Sequence, residues 1–171
     1  LYSASDIDVL TPNQIAQHPF LSRLGPDVVS AGTDEVLAQV CSERFARRQL
    51  GSLLLDQRFL AGVGNYLRSE ILFVSGLHPK RRPIDCSPEQ LADLAEAATT
   101  LARRSYRHNG ITCDLQIARQ LKAEGQPRSR YRHWVFARAG LSCRQCGTTV
   151  LDIAFASRRL AYCPVCQPVA T

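Results

Sequence analysis

Four of the seven cysteines in this sequence are arranged in two closely spaced pairs. Cys143 and Cys146 form one CxxC pair, and Cys163 and Cys166 form the second pair after sixteen intervening residues. Four thiolates at this spacing suit a tetrahedral zinc ion, with about 2.3 Å between the metal and each sulfur. A site closed by four thiolates leaves no open coordination position, so we expect one zinc ion with a structural role.

Two disulfides, or a redox-active CxxC, are the other chemistries that paired cysteines can support. Neither accounts for two matched pairs in a chain whose Cys41, Cys86 and Cys113 stand alone. The pattern therefore fits a metal site in a reducing compartment better than a disulfide framework. The residues between the pairs are long enough for two short strands, which we place at 148–154 and 160–162.

Basic residues that could bind an anion are unevenly distributed along the chain. The formal net charge is +6, and the isoelectric point is about 9.2. From Arg103 through Arg138, both included, the chain holds nine arginines and lysines, against Asp114 and Glu124 as the only acids. This excess favours an anionic partner such as nucleic acid, although a merely basic surface would give the same count.

The elements that must hold these residues are helices over the first two-thirds of the chain. Thr11, followed by proline, is typical of a helix start, and Thr33 is expected to cap a second helix. A short and largely buried helix is predicted at 48–55 from its apolar residues. No run of 18 or more apolar residues exists, so no helix is expected to cross a membrane.

Two later helices have clear starting signals. The Gly-Val-Gly run at 62–64 interrupts the helical pattern, and Asn65 is predicted to cap a helix that continues to about Ser75. The capping box that begins at Ser87 predicts a long helix to about His108.

The segment between the long helix and the first cysteine pair has weaker signals. Residues 111–130 are polar and basic and predict a mobile loop with one short helix, either solvated or in contact with DNA and a base flipped out of it. Residues 133–137 are expected to form a strand. Trp134 and Phe136 would pack this strand against the helices.

The middle of the chain resembles the helix-two-turn-helix motif of the formamidopyrimidine-DNA glycosylase and endonuclease VIII family, through LLDQRFLAGVGNY at 54–66 and SEIL at 69–72. The four-cysteine finger, with Ser-Arg at 157–158 between its pairs, resembles the zinc finger of the same family. The endonuclease VIII branch is most similar to LYSASDIDVL at 1–10 and to HPFLSRLGPD at 18–27. The resemblance covers nearly the whole chain and is weakest in the basic loop.

The resemblance implies a mainly α fold, in which a helix-two-turn-helix domain is followed by a small four-cysteine zinc finger with a β-hairpin. On this basis 1–18 is the remnant of a junction after a missing N-terminal β-rich catalytic domain, 19–132 is the helical DNA-binding domain, and 133–171 is the finger. The chain contains no methionine, which also leads us to expect a fragment. Glu70 is expected to form a structural hydrogen bond to the helix-two-turn-helix turn.

The resemblance further implies a bifunctional enzyme of base excision repair. Family members excise oxidised bases, often pyrimidines in the endonuclease VIII branch, and then cut the abasic strand. Their nucleophile is an N-terminal proline amine followed by a glutamate, and neither can be placed here, so we expect the chain to be inactive alone. The implied partner is double-stranded DNA with an oxidised base or abasic site, bound by a monomer in the bacterial cytoplasm, with the nucleoid and away from membranes.

Three positions match residues that contact DNA in this family. Asn65 matches an asparagine that contacts phosphate, although it would also serve as a simple N-cap without a ligand. Arg158 matches the finger arginine that binds phosphate and donates a proton in the second strand-cutting elimination; the neighbouring Arg159 is the competing choice. Arg23 matches a further DNA-contacting arginine, for which a surface ion pair is the alternative.

A non-catalytic nucleic-acid-binding module with a zinc ribbon is the competing function. It explains the charge and the cysteines equally well. It does not explain the sequence GVGNY at 62–66, at this distance from the finger.

Overall fold

The computed structural model describes residues 7–169, in which helices come first and a two-stranded antiparallel hairpin comes last. The elements are α1 (Pro12–Gln17), α2 (Thr33–Val40), α3 (Leu50–Leu53), α4 (Asn65–Val74), α5 (Pro88–Arg107), α6 (Leu115–Ala123), α7 (Arg128–Tyr131), β1 (Leu151–Phe155) and β2 (Arg158–Tyr162). Two 3-10 turns, Leu21–Arg23 and Pro83–Asp85, lie between helices. The mainly α fold with a terminal hairpin is confirmed; the part of the predicted family match at residues 1–6 lies outside the described residues.

Helix α4 is the element that joins the two hydrophobic clusters of the structure. Its residues 67–73 are all buried, and it packs against both α5 and β2. Leu67 and Ile71 belong to the larger core of the helical region, whereas Phe73 lies in a second cluster with Cys163 of the finger. One helix therefore connects the helical core to the finger.

The start of α4 differs by one residue from the prediction. Gly64 is the N-cap, with an extended backbone (φ −105°), and Asn65 is the first helical residue. The predicted cap role of Asn65 is therefore wrong. Gly62 has φ +87°, a left-handed conformation that glycine adopts without strain, and it provides the tight turn just before α4.

The capping signals of the other helices are partly confirmed. The Gln90 N–H donates to Ser87 Oγ at 3.3 Å, and the Ser87 N–H donates to Gln90 Oε1 at 3.0 Å, which is the predicted capping box of α5. The cap assigned to Thr33 is wrong, because Gly32 is the N-cap of α2 and the Thr33 hydroxyl lies 3.1 Å from that of Thr99. No helix of residues 7–169 is long and apolar enough to cross a membrane.

Two further segments of the helical part differ from their predicted secondary structure. The helix predicted at 48–55 is the single turn α3. The loop predicted at 111–130 is largely helical, as α6 and α7, and Asp114 caps α6 by accepting the N–H groups of Gln116 at 2.7 Å and Ile117 at 3.1 Å. Helix α6 could not be predicted from an apolar periodicity, because Ala118 is its only buried residue.

The segment at 133–137 does not form the predicted strand. The backbone N–H groups of Trp134, Val135 and Phe136 donate to the carboxylate of Glu70 at 2.8, 2.9 and 2.9 Å. Successive N–H groups of a strand point to opposite sides, so three that converge on one carboxylate require a turned backbone.

Aromatic side chains of this turned segment nevertheless pack against a helix, as predicted. The Trp134 ring lies 5.8 Å from that of Phe73, and the Phe136 ring lies 6.2 Å from that of Tyr66, measured between centroids. Both Phe73 and Tyr66 belong to α4. The packing was therefore predicted correctly although the secondary structure was not.

Glu70 is the buried acceptor that fixes this segment to α4. Its side chain is fully buried and also accepts the Thr112 hydroxyl at 2.5 Å. Burial raises the pKa of Glu70, and the hydrogen bonds that it accepts act in the opposite direction. The predicted bond to the helix-two-turn-helix turn is wrong, because the partners of Glu70 are Thr112 and the N–H groups of residues 134–136.

Replacement of this carboxylate should weaken the attachment. We expect Glu70→Gln to lower the free energy of unfolding by roughly 1–3 kcal/mol, because buried N–H donors lose an acceptor. Urea denaturation followed by the fluorescence of Trp134, the single tryptophan, measures this. Glu43→Gln, at an exposed glutamate, is the matched control and should change stability by less than about 0.5 kcal/mol. Equal stability of the two variants would contradict the role of Glu70.

Candidate metal centre and nucleic-acid interface

The four paired cysteines converge at one point. A ligand atom from each lies within 4.8 Å of the others. The Sγ atoms of Cys143 and Cys166 are 3.8 Å apart, and those of Cys146 and Cys163 are 3.5 Å apart. Four sulfurs at about 2.3 Å from one tetrahedral ion would lie about 3.8 Å apart, so the cluster fits one zinc ion.

The ionisation of the cysteines is consistent with a site that needs a cation. Burial raises the pKa of Cys163 and of Cys166, and the neighbouring sulfurs raise it further. Hydrogen bonds from the Thr148 side chain and backbone lower the pKa of Cys146 to about 6. A bound divalent metal ion stabilises all four thiolates, since a coordinating thiol is deprotonated outright.

The two cysteine turns are fixed by residues that follow them. Gly147 has φ +78°, and its N–H donates to the Cys143 carbonyl at 3.0 Å. Gln167 is fully buried, accepts the Cys163 N–H at 2.9 Å and donates to the carbonyl of Leu77, just beyond α4, at 3.0 Å. Gln167 thus attaches the finger to the helical part. This attachment was not predicted from the sequence, although the place of Gln167 directly after the last cysteine was a signal.

The hairpin presents Arg158 next to a tight turn. Phe155 pairs with Arg158, and the two residues between them, Ala156 and Ser157, have φ values of +50° and +61°. Two successive positive φ values are typical of a type I′ turn, which matches the twist of a two-residue hairpin. Both strands extend closer to this turn than predicted, and Arg158 lies exposed at the start of β2.

Arg158 and Arg159 differ in their partners. The Arg159 Nε lies 3.0 Å from Asp152 Oδ2 across the hairpin. Arg158 forms no salt bridge or side-chain hydrogen bond with any residue between 7 and 169. Its positive charge is therefore available for an anion, which favours Arg158 over Arg159.

Arg158 lines a recess of about 390 Å³ together with the turn that precedes α4. The other lining residues are Leu55, Gln57, Gly62, Val63 and Gly64. Gln57 holds the turn, because its Oε1 accepts the Gly62 N–H at 2.9 Å and its Nε2 donates to the Val63 carbonyl at 3.0 Å. A Cβ added to Gly64 would meet no atom within 4 Å, so the backbone is open to a ligand there.

Asn65 connects this turn to the hairpin. Its Nδ2 donates to the Arg159 carbonyl at 3.0 Å, and its Oδ1 accepts Arg68 Nη2 at 2.5 Å. The structure thus brings Asn65 and the start of β2 together. Arg68 is fully buried and was not singled out from the sequence, where Ser69 and Glu70 follow it and no apolar run marks it as buried.

Arg23 lies next to the same region. It is exposed and lines a second recess, of about 540 Å³, which shares Leu55 and Gln57 with the first. The neighbouring Arg58 forms a salt bridge to Asp56 at 2.9 Å and lowers the pKa of that carboxyl. Within the described part of the chain Arg23 forms no such bridge, so the surface ion pair considered for it is not observed.

The basic stretch from Arg103 to Arg138 forms no salt bridge with any residue that the structure describes. Some of its arginines bind backbone carbonyls instead. Arg103 donates to Val29 at 3.1 Å, and Arg104 donates to Thr112 at 3.1 Å. The stretch therefore carries positive charge without acidic partners.

Two family profiles match the chain. The profile of the formamidopyrimidine-DNA glycosylase H2TH domain matches residues 24–116, and that of the zinc finger found in FPG and IleRS matches residues 140–169. The first covers more than half of the chain and includes the turn before α4. The second includes the hairpin and all four paired cysteines, which are therefore the ligands of one structural zinc ion.

Curated relatives are similar along nearly the whole sequence. Endonuclease 8 of Klebsiella pneumoniae is 44% identical over 169 residues, which are 98% of this chain and 61% of that protein. Endonuclease 8 of Salmonella arizonae shows the same identity, 44%, and the same coverage. The chain thus spans about three-fifths of the length of these relatives.

Solved structures have a similar fold. The MutM (Fpg) protein of Thermus thermophilus has a TM-score of 0.71 and 31% identity, over 92% of this chain and 58% of that one. Lactococcus lactis Fpg in complex with abasic-site DNA has a TM-score of 0.72 over 94% of this chain and 57% of that one. Its identity is 19%, so this similarity shows the fold alone.

Loss of the metal should unfold the hairpin. We expect Cys163→Ser to lower the zinc content from one ion per chain to near zero, because a structural site depends on all four ligands. Plasma mass spectrometry measures the zinc, and Trp134 fluorescence follows the packing of the second cluster. Cys41→Ser, at an exposed lone cysteine, is the control and should keep the metal. Wild-type protein that holds no zinc and keeps the hairpin would contradict this assignment.

Proposed function

Because the chain belongs to the formamidopyrimidine-DNA glycosylase and endonuclease VIII family, we propose that it is the DNA-binding part of a bifunctional DNA glycosylase and abasic-site lyase. The proposed substrate is double-stranded DNA with an oxidised base, in particular a pyrimidine, or with an abasic site. The names of the curated relatives and the abasic-site DNA bound by Lactococcus lactis Fpg support this. The observation that carries the proposal is the hydrogen bond that joins Asn65 to the hairpin bearing Arg158.

The recess beside Arg158 suits one phosphate of the DNA backbone. A guanidinium presents two parallel N–H donors to phosphate oxygens, and Arg158 has no competing carboxylate among the described residues. Asn65 lies at the positive end of α4, where N–H groups and the helix dipole favour an anion. These contacts would position the duplex without reading its sequence.

A phosphate held from two sides serves the chemistry of base excision. The damaged base must leave the stack, and rigid contacts to its backbone stabilise the distorted duplex. We assign to Arg158 the further role of donating a proton to the departing phosphate in the second strand-cutting elimination. The family's proline nucleophile matches no residue of this sequence, so bond cleavage at the base is proposed for residues outside it.

Arg23 is proposed as a second phosphate contact. Its recess adjoins that of Arg158 through Leu55 and Gln57, so the two arginines can serve neighbouring phosphates of one strand. The uncompensated basic stretch that includes α6 and α7 would add non-specific attraction to the duplex.

The remaining expectations are also proposals. We propose that residues 1–18 belong to a junction, 19–132 to the DNA-binding domain and 133–171 to the finger. We propose a monomer that acts on chromosomal DNA in the bacterial cytoplasm, since the two Endonuclease 8 relatives described above come from bacteria. The non-catalytic zinc-ribbon module is less well supported, because it does not account for the H2TH match at 24–116.

Loss of the hairpin arginine should weaken DNA binding. We expect Arg158→Ala to raise the Kd for a duplex with an abasic-site analogue about 10-fold to 100-fold, because a charge-assisted hydrogen bond is lost. The slope of log K against log salt should fall by about one. Fluorescence anisotropy at several salt concentrations measures both.

Arg159→Ala is the matched control for this experiment. It removes the same charge from the next residue, which already pairs with Asp152, and it should weaken binding less. Equal effects of the two substitutions would count against a specific role for Arg158.

The 171-residue chain should bind damaged duplexes but not excise the base. Incubation with a duplex that contains one oxidised pyrimidine, followed by denaturing electrophoresis, should show intact strands. Cleavage of the strand at the lesion that persists after contaminating nucleases have been removed would contradict this prediction. It would show that the nucleophile lies within this sequence.

A further inference from the structure

Arg68 is a buried arginine without an acidic partner. Its side chain is completely buried, and none of the salt bridges among residues 7–169 involves it. Burying an ion without a counter-charge costs several kcal/mol in typical proteins. A buried arginine without a counter-charge therefore points to a specific role.

The guanidinium of Arg68 donates to atoms of three separate segments. Nη1 donates to the carbonyl of Gly51 in α3 at 2.8 Å and to that of Phe155 at 3.4 Å. Nη2 donates to Asn65 Oδ1 at 2.5 Å and to the Arg159 carbonyl at 3.3 Å. Phe155 and Arg159 flank the hairpin turn, so one side chain holds both arms of the hairpin and the start of α4.

These contacts fix which way the Asn65 amide points. Its oxygen accepts from Arg68, and one amide hydrogen is donated to the Arg159 carbonyl. The second amide hydrogen is left for another acceptor. If Arg68 did not hold the oxygen, the amide could rotate and present that oxygen, which a phosphate would repel.

The hairpin position of Arg158 depends on the same guanidinium. Arg158 is bonded in sequence to Arg159, whose carbonyl Arg68 holds, and it pairs with Phe155, whose carbonyl Arg68 also holds. Burial lowers the pKa of Arg68 to about 10, and the nearby charge of Arg158 contributes to that shift. Arg68 is therefore cationic at neutral pH and close to Arg158.

We propose that Arg68 is a positioning residue that sets both the orientation of the Asn65 amide and the place of the Arg158 guanidinium for one phosphate. The proposal rests on the proposed DNA-binding function. Arg68 itself does not line the recess, so it acts through these two residues rather than by touching DNA.

The test compares Arg68→Met and Arg68→Lys with wild type. Methionine fills a similar volume without donors, and lysine keeps the charge but cannot bridge four acceptors at once. The Kd for a duplex with an abasic-site analogue should rise at least about 10-fold for Arg68→Met. Lysine should restore only part of the affinity, whereas full rescue by lysine would show that charge alone matters and would overturn the proposal.

A control variant and a double-mutant cycle distinguish a positioning role of Arg68 from a general effect on stability. Arg81→Met removes a half-buried arginine outside the basic stretch, one that donates to Gln90 Oε1 at 2.9 Å, and it should affect binding far less than Arg68→Met. Asn65→Ala combined with Arg68→Met should bind no more weakly than Arg68→Met alone, because both act on one contact. Fully additive losses would overturn the proposal.

Nuclear magnetic resonance reports on the Asn65 amide directly, and a merely structural role of Arg68 would not change this amide specifically. The side-chain amide signals of Asn65 in a ¹⁵N correlation spectrum should shift or broaden in Arg68→Met, while zinc content and far-ultraviolet circular dichroism stay as in wild type. Unfolding of both Arg68 variants at 10 °C, with loss of zinc, would identify the residue as structural and overturn the positioning role. Failure of wild-type protein to bind DNA would instead contradict the proposed function.

Discussion

Two buried charges on α4, Arg68 and Glu70, hold together the parts of this protein that are distant in sequence. They lie two residues apart on a helix whose residues 67–73 are all buried. Glu70 accepts the three consecutive N–H groups of residues 134–136, and Arg68 donates to carbonyls on both sides of the hairpin turn. Because a buried polar group is costly unless its bonds are made, each fixes one geometry rather than a range of similar packings.

The zinc site and the buried groups have complementary roles. The metal fixes the two cysteine turns relative to each other, and Gln167 connects the second turn to the end of α4 at Leu77. The far end of the hairpin, some distance from the metal, is held by Arg68 instead. The finger is thus attached to the helical part at both ends, which suits a contact that must be placed accurately.

The surface charges divide into those with and those without a partner. Arg48, Arg58, Arg82 and Arg159 form salt bridges to nearby aspartates. In the part of the chain that the structure describes, Arg23 and Arg158 form none, and both line recesses beside the turn before α4. Surface salt bridges contribute little to stability. The difference between paired and unpaired arginines therefore matters mainly for the electrostatic potential around an anionic ligand.

The sequence by itself determined the local features: the metal ligands, the Ser87 capping box, the long helix α5 and the motif around Gly62. Each depends on neighbouring residues, so spacing suffices to predict it. Only the tertiary structure decided the contacts of Arg68, Glu70 and Gln167, the turned backbone at 133–137, and the pairing of Arg159 with Asp152. Their partners lie far away in sequence, and side-chain bonds over such separations leave no periodic pattern to read.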